Sequence, residues 1–200
     1  MSQKDRTTHP IRHFSYLMLP SLVVLLGSMF YVYEFFLRVI PSVITHELMR
    51  DFHANATSLG FMSASFYYAY AFMQIPAGIL CDRFGPRLIL TIAACICAIA
   101  TVTFAHTDSL FLAGLARFAI GIASSCGFIA PVLLASRWFD SQYYSMITGL
   151  IQTLGSVGAI IGGGPIALVI QNYGWRHTMI MVAMVAVFLA FLFIIGIRNH

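Results

Sequence analysis

The 200-residue chain is 60% apolar and only 9% charged, with a mean hydropathy of +0.86. A soluble domain of this size cannot solvate such a surface, so composition excludes an ordinary globular protein and leaves a polytopic membrane protein. The net charge of +4 comes from ten arginines and one lysine spread over short loops, which excludes a basic nucleic-acid-binding patch.

Residues 1–15 are polar, carry Lys4, Arg6 and Arg12, and read as a tail. The apolar run that follows is too long for a signal-peptide core, and no Ala-x-Ala-like site closes it. It reads as a retained first transmembrane helix. A bilayer core needs about 20 apolar residues per helical span. Six segments qualify, roughly 16–44, 57–80, 88–105, 110–135, 145–170 and 177–197. Residues 16–197 are therefore expected to form one all-α six-helix bundle, with 198–200 as a short cytoplasmic end. The runs are too long for the strands of a membrane barrel. With residue 1 inside, the inner segments hold Lys4, Arg6, Arg12, Arg83, Arg87, Arg137 and Arg198, against Arg50 and Arg176 outside. That bias puts both termini in the cytoplasm and the chain in a cell or inner membrane.

Three ionisable residues fall inside spans: Glu34 and Arg38 in the first, Arg117 in the fourth. A charge at the bilayer centre costs about 2.5–3.5 kcal/mol on insertion scales, so each needs a partner, a wet cavity or an interfacial escape. Glu34 and Arg38 are four apart with the acid first, the favourable order for a helical pair. Two readings stand. In one, the pair is structural and Arg117, a turn or two from the outer end of its span, snorkels outward. In the other, all three face a cavity. One acid for two arginines then leaves a positive charge that a carboxylate or phosphate neutralises.

Between spans 2 and 3 lies Gly78-Ile-Leu-Cys-Asp82-Arg83-Phe84-Gly85-Pro86-Arg87, a tight charged turn suited to two close antiparallel helices. Cys81, Cys95, Cys97 and Cys126 fall in or beside apolar runs and read as packing residues. Span 4 contains Arg117-Phe-Ala-Ile-Gly121 and ends at Arg137-Trp138-Phe139. In span 5, Gly158 and Gly162 share a helix face and admit a second backbone, and Pro165 permits a bend. Gly174-Trp175-Arg176 precedes span 6. His46, His53, His106 and His177 lie in loops or at a span start, none beside a second ligand at metal spacing. There is no nucleotide loop, since no Gly-Lys-Ser/Thr follows the Asp82 turn, and no nucleophile–base arrangement. No cofactor, metal or enzymatic activity is expected.

These motifs, in this order, resemble the major facilitator superfamily of transporters. Residues 78–87 are similar to its signature loop, Gly-x-x-x-Asp-Arg/Lys-x-Gly-Arg/Lys-Arg/Lys, with Pro86 in place of one basic residue. Arg117-x-x-x-Gly121 and the terminal Trp-Phe resemble its fourth helix, the glycines before Pro165 its fifth, and Gly174-Trp175-Arg176 its junction before the sixth. The stretch Tyr33–Ser42 resembles the first helix of the family's organic-anion branches.

The resemblance implies two inverted three-helix units and solute transport by alternating access, driven by an ion gradient or by exchange. It places Glu34, Arg38 and Arg117 in a central cavity between spans 1 and 4, with Tyr31, Tyr33, Tyr67, Gln74 and Gln152 as nearby hydrogen-bonding groups. Arg38 is expected to meet the negative charge of a small anionic solute, and Glu34 is the candidate to carry a coupling proton; a counter-anion is the other coupling partner. Gly78, Asp82, Arg83, Gly85 and Arg87 become a conformational-switch loop that braces a helix of a second half. The resemblance covers an N-terminal half only, so the expected partner besides the bilayer is a second six-helix half on another chain or a second copy of this one. A truncated half-bundle without transport stands as the alternative, as does a non-transporting scaffold that tolerates neutral residues at 34, 38 and 117.

Overall fold

The computed structural model describes the backbone of residues 10–197 and the side chains of residues 20–197. These residues are helical almost throughout, with no strand among them. Span 1 is α1 (Pro10–Val43), followed by the short α2 (Thr45–Asp51). Span 2 is α3 (Ala56–Phe84) and span 3 is α4 (Pro86–His106). Span 4 comprises α5 (Leu110–Ser124) and α6 (Cys126–Trp138), span 5 comprises α7 (Tyr144–Gly163) and α8 (Pro165–Tyr173), and span 6 is α9 (Trp175–Gly196). The helix of span 1 begins at Pro10, within the residues read as a tail, and the fixed φ of Pro10 suits a first helical position. The rest of that tail, and the expected end at 198–200, lie outside the described residues.

Local chemistry sets the boundaries. Asn55 Oδ1 accepts from the Ser58 N–H at 2.8 Å and caps α3. Pro165, with no N–H to donate, separates α7 from α8 where a bend was expected. The break in span 4 was not anticipated. There Ser125 Oγ and Cys126 Sγ donate back to the carbonyls of Ile122 and Ala123, competing with the helical ladder.

Five of the six spans are long and apolar enough to cross a membrane. The exception is α3, whose 29 residues have the length, roughly 43 Å, but include Ser63, Ser65, Tyr67, Tyr68, Tyr70 and Gln74. The chain is nonetheless a multi-pass membrane bundle, since α3 packs along α5 within it.

The dominant packing pairs are spans 1 with 5, 2 with 4, and 3 with 6. Exchanging the first three spans for the last three maps the first pair onto the second and the third onto itself, so the bundle is two inverted three-helix repeats. Glycines make both exchanged contacts. A Cβ on Gly158 would lie 2.2 Å from the Val32 carbonyl oxygen of α1, and one on Gly121 would lie 2.3 Å from the Phe66 carbonyl oxygen of α3. Backbones this close are how membrane helices gain dispersion contact without a hydrophobic drive.

The turns repeat as well. Phe84-Gly85-Pro86-Arg87 and Tyr173-Gly174-Trp175-Arg176 each turn on a left-handed glycine, with φ of 84° and 77°. Arg87 donates to the Ile194 carbonyl near the end of α9. Arg176 donates to the Ala105 and Thr107 carbonyls at the end of α4, at 2.9 and 3.2 Å. Spans 3 and 6 thus place an arginine on each other's C-terminal carbonyls, where a cation also complements the helix dipole.

Candidate functional site

Glu34 and Arg38 sit one turn apart on α1 and form an ion pair through Glu34 Oε1. The Glu34 side chain has no solvent exposure, and its second oxygen has no hydrogen-bond partner. Arg38 lies over two aromatic rings, Phe35 at 4.4 Å and Tyr70 at 4.7 Å to the centroid.

Arg117 does not snorkel. It is 2% exposed, and its Nη1 donates to the Leu37 carbonyl at 3.0 Å. The acceptor is available because Pro41, four residues on, has no N–H to offer that carbonyl. Arg117 also lies 4.7 Å from the centroid of Phe66, and Arg38 reaches the same ring at 5.7 Å. The outward-escape reading is therefore corrected: the arginine turns inward because a free carbonyl and a ring face receive it.

Arg38 and Arg117 together line a cavity of about 290 Å³. Pro41, Ser42 and Thr45 form its wall at the α1–α2 junction, while Leu59, Gly60, Ser63 and Tyr67 supply the α3 wall. Its volume is at the small end for a ligand site. The Nε of each arginine is buried without a hydrogen-bond partner. Buried N–H donors left unpaired cost about 1–3 kcal/mol each, so an acceptor entering the cavity recovers that energy.

Of the other expected residues, Tyr67 lines this cavity and is half exposed. Gln152 lies elsewhere and accepts from the Tyr31 hydroxyl at 2.9 Å, joining spans 1 and 5. Tyr33 faces away. Its hydroxyl donates to the Val182 carbonyl of α9 at 3.2 Å, and the ring lines a separate groove of about 680 Å³ between α1, α7 and α9. That groove is apolar, and its two hydroxyls, on Tyr33 and Thr178, both bond backbone carbonyls. Spacing explains the difference, since positions 31, 34 and 38 share a helix face whereas 33 is about 100° away from 34. Sequence reading missed most of the α3 wall, and it missed Phe66, which does not line the cavity but lies beneath both guanidinium groups.

At the opposite end of the bundle, Asp82 is largely exposed and lies 3.9 Å from Arg137, a contact of little energetic weight. Arg83 rests over Phe84 at 5.4 Å. A Cβ on Gly78 would meet nothing within 4 Å. At the cavity's end, Asp51 accepts from Trp175 Nε1 at 2.8 Å and Arg176 pairs with Asp108 at 2.7 Å. The Trp175 hydrogen bond, helped by Arg50 and Arg176, holds the Asp51 carboxyl below the usual range.

Known proteins resemble this chain in sequence and in fold. The chain is 27% identical over 162 residues to the uncharacterized transporter YybO of Bacillus subtilis, covering 81% of this chain and 37% of that one. It is 26% identical over 149 residues to the probable sulfoacetate transporter SauU of Cupriavidus necator, covering 74% and 35%. With the probable galactarate/D-glucarate transporter GarP of Escherichia coli the identity is 23% over 168 residues, covering 81% and 38%. The chain thus spans little more than a third of these relatives. Among solved structures, a bacterial homolog of the human lysosomal transporter Spinster, inward-facing and unoccupied, superposes with a TM-score of 0.81 at 17% identity, over 91% of this chain and 44% of that one. The family model for the Major Facilitator Superfamily matches residues 23–200. With that match, the motif order and the inverted-repeat fold, the chain belongs to the major facilitator superfamily of transporters and corresponds to its N-terminal six-helix half.

Proposed function

We propose that this chain forms one half of a secondary transporter that moves a small organic anion by alternating access. The observation that carries the reading is the pair of arginines from different helices on one small cavity, each with a buried, unpartnered Nε. Glu34 offsets one of the two positive charges, so the pocket suits a carboxylate or sulfonate. The solutes in the relatives' names, sulfoacetate and galactarate or D-glucarate, are anions of this kind. Glu34, with one oxygen on Arg38 and one free, is the group we assign to a coupling proton; exchange against a counter-anion is the other mode.

The path for the solute needs a second six-helix unit. We place it against α3 and α7. The first exposes Phe61, Tyr68, Phe72 and Ile75, and the second exposes Leu150, Val157 and Ile160. The polar content of α3 favours protein over lipid on its outer face, and the open space beside Gly78 leaves room for a neighbouring helix. The loop of Asp82, Arg83, Gly85 and Arg87 then acts on the balance of inward and outward states rather than on the solute. The basic-residue bias puts that loop and both termini on the cytoplasmic side.

The test is solute binding by the complete transporter carrying Arg38→Lys or Arg117→Lys, with sulfoacetate and D-glucarate as probes. An ammonium lacks the planar fork of a guanidinium. Each variant should therefore insert normally and bind about one to two orders of magnitude more weakly, the effect of losing a charge-assisted contact of roughly 1.5–3 kcal/mol. Parent-like binding by both variants, or a preference for neutral or cationic solutes, refutes the anion site.

A further inference from the structure

Neither arginine holds its own position, and one ring is common to both. Phe66 is fully buried on α3, with the Arg117 guanidinium 4.7 Å and the Arg38 guanidinium 5.7 Å from its centroid. The ring's place is set by backbone contact, because Gly121 of α5 brings that helix against the Phe66 carbonyl, closer than any side chain at 121 would allow. Gly121 is one turn after Arg117, so the residue that admits α3 and the residue that stacks on its phenylalanine share a face of α5.

We propose that Phe66 is a positioning residue for the solute site, fixing both guanidinium groups at the cavity through its π-face. The inference rests on the anion reading and adds a determinant that carries no charge and does not line the cavity. Two like charges near one cavity repel, and left to their rotamers they would swing apart. A shared quadrupole attracts both toward one place. Glu34 and Phe35 of α1 and Tyr70 of α3 also hold Arg38, whereas Arg117 has Phe66 and the Leu37 carbonyl. Loss of the ring should therefore release Arg117 more than Arg38.

The test reads the charge preference of the cavity without needing its natural solute. Ser63 lines the cavity, and Ser63→Cys in the intact protein in membrane vesicles reports entry of thiol reagents. The probes are anionic 2-sulfonatoethyl methanethiosulfonate and cationic 2-(trimethylammonio)ethyl methanethiosulfonate, with rates corrected for protein lacking the added cysteine and divided by each reagent's rate with a free small thiol. A cavity of net positive field should favour the anionic reagent by about tenfold. Phe66→Leu should cut that ratio roughly threefold to tenfold, and Phe66→Tyr should keep it. Phe193→Leu removes an equally buried ring that stacks edge-on with Phe30, and it should leave the ratio unchanged.

Phe66→Met fills similar space without a ring and carries the same expectation if the leucine variant fails to reach the membrane. A ratio that survives both Phe66→Leu and Phe66→Met overturns the Phe66 inference alone. A ratio that falls equally in Phe193→Leu makes the effect one of general packing and also overturns it. A parent with no preference for the anionic reagent removes the anion reading, and the role of Phe66 falls with it.

Discussion

Alanine at Gly158 or Gly121 tests the packing logic of the two repeats directly. The added Cβ would sit 2.2 Å from the Val32 oxygen in one case and 2.3 Å from the Phe66 oxygen in the other. Relief requires the helices to part by about 1 Å, and overpacking of this kind typically costs 1–3 kcal/mol. Against that, alanine gains about 0.5–1 kcal/mol over glycine inside a helix. The net loss is then about 0–2.5 kcal/mol, or roughly 0–10 °C in melting temperature for a chain of this size. Gly60 and Gly149 supply the internal comparison, because a Cβ at either meets nothing within 4 Å. Alanine there should hold or raise the melting temperature. The assay is thermal unfolding of purified protein in one detergent, followed by loss of the monodisperse peak on size exclusion. Were Gly158→Ala and Gly121→Ala to melt no lower than Gly60→Ala and Gly149→Ala, the close approach of spans 1 with 5 and 2 with 4 would not be holding the bundle together.

The clamp formed by Asp51 on Trp175, at the cavity's end of the bundle, gives a pH signature. Asp51 has a lowered pKa, so its contribution is complete above the ordinary aspartate value and is lost as pH falls through the lower folded value, below about 4. Asp51→Ala leaves the buried Trp175 Nε1–H without an acceptor and should cost about 1–3 kcal/mol. Asp51→Asn keeps an acceptor but should remove this acid-dependent component, and an unchanged acid profile by tryptophan fluorescence counts against the clamp. Topology follows from the basic-residue bias: reporters fused after Arg87 and at His106 should report opposite compartments, with Arg87 cytoplasmic, and the same compartment for both ends the six-span reading.

Much of the fold was legible because the bilayer imposes a length on every apolar run. The six spans, the bend at Pro165 and the Gly158 and Gly162 contact face all follow from residue type and spacing. The short α2 was not legible, since seven residues beyond a span carry no periodicity long enough to declare a helix. The break at Ser125 also escaped, because a serine and a cysteine folding back on their own carbonyls leave no pattern distinct from ordinary polar residues in a helix. Within the site, the Glu34–Arg38 pair was visible from its four-residue spacing. The same geometry should have set Tyr33 apart, because it falls on a different face of α1 from Glu34 and Arg38. The α3 wall stayed hidden because its residues are unremarkable singly, and only the packing of α3 on α5 brings them to the arginines.

Arg117 shows how an uncharged framework holds a charge inside a membrane. Its nearest fixed acceptor is a backbone oxygen, and that oxygen is free only because Pro41 cannot donate to it. Its ring neighbour is in reach only because Gly121, one turn on, lets α3 approach to backbone contact. The four-residue spacing of Arg117 and Gly121 therefore has a mechanical meaning: the glycine draws Phe66 in, and the arginine stacks upon it. A carboxylate partner would bind Arg117 more tightly, but it would also neutralise it. Backbone oxygen and π-face each satisfy part of the guanidinium while leaving its full charge in place. On the proposed anion reading, that combination keeps the whole of Arg117's charge available to a solute, while Arg38 offers its unpartnered Nε and shares its charge with Glu34. Arg38 is held differently, by Glu34, so its availability to an anion depends on the state of that acid, whereas Arg117's does not.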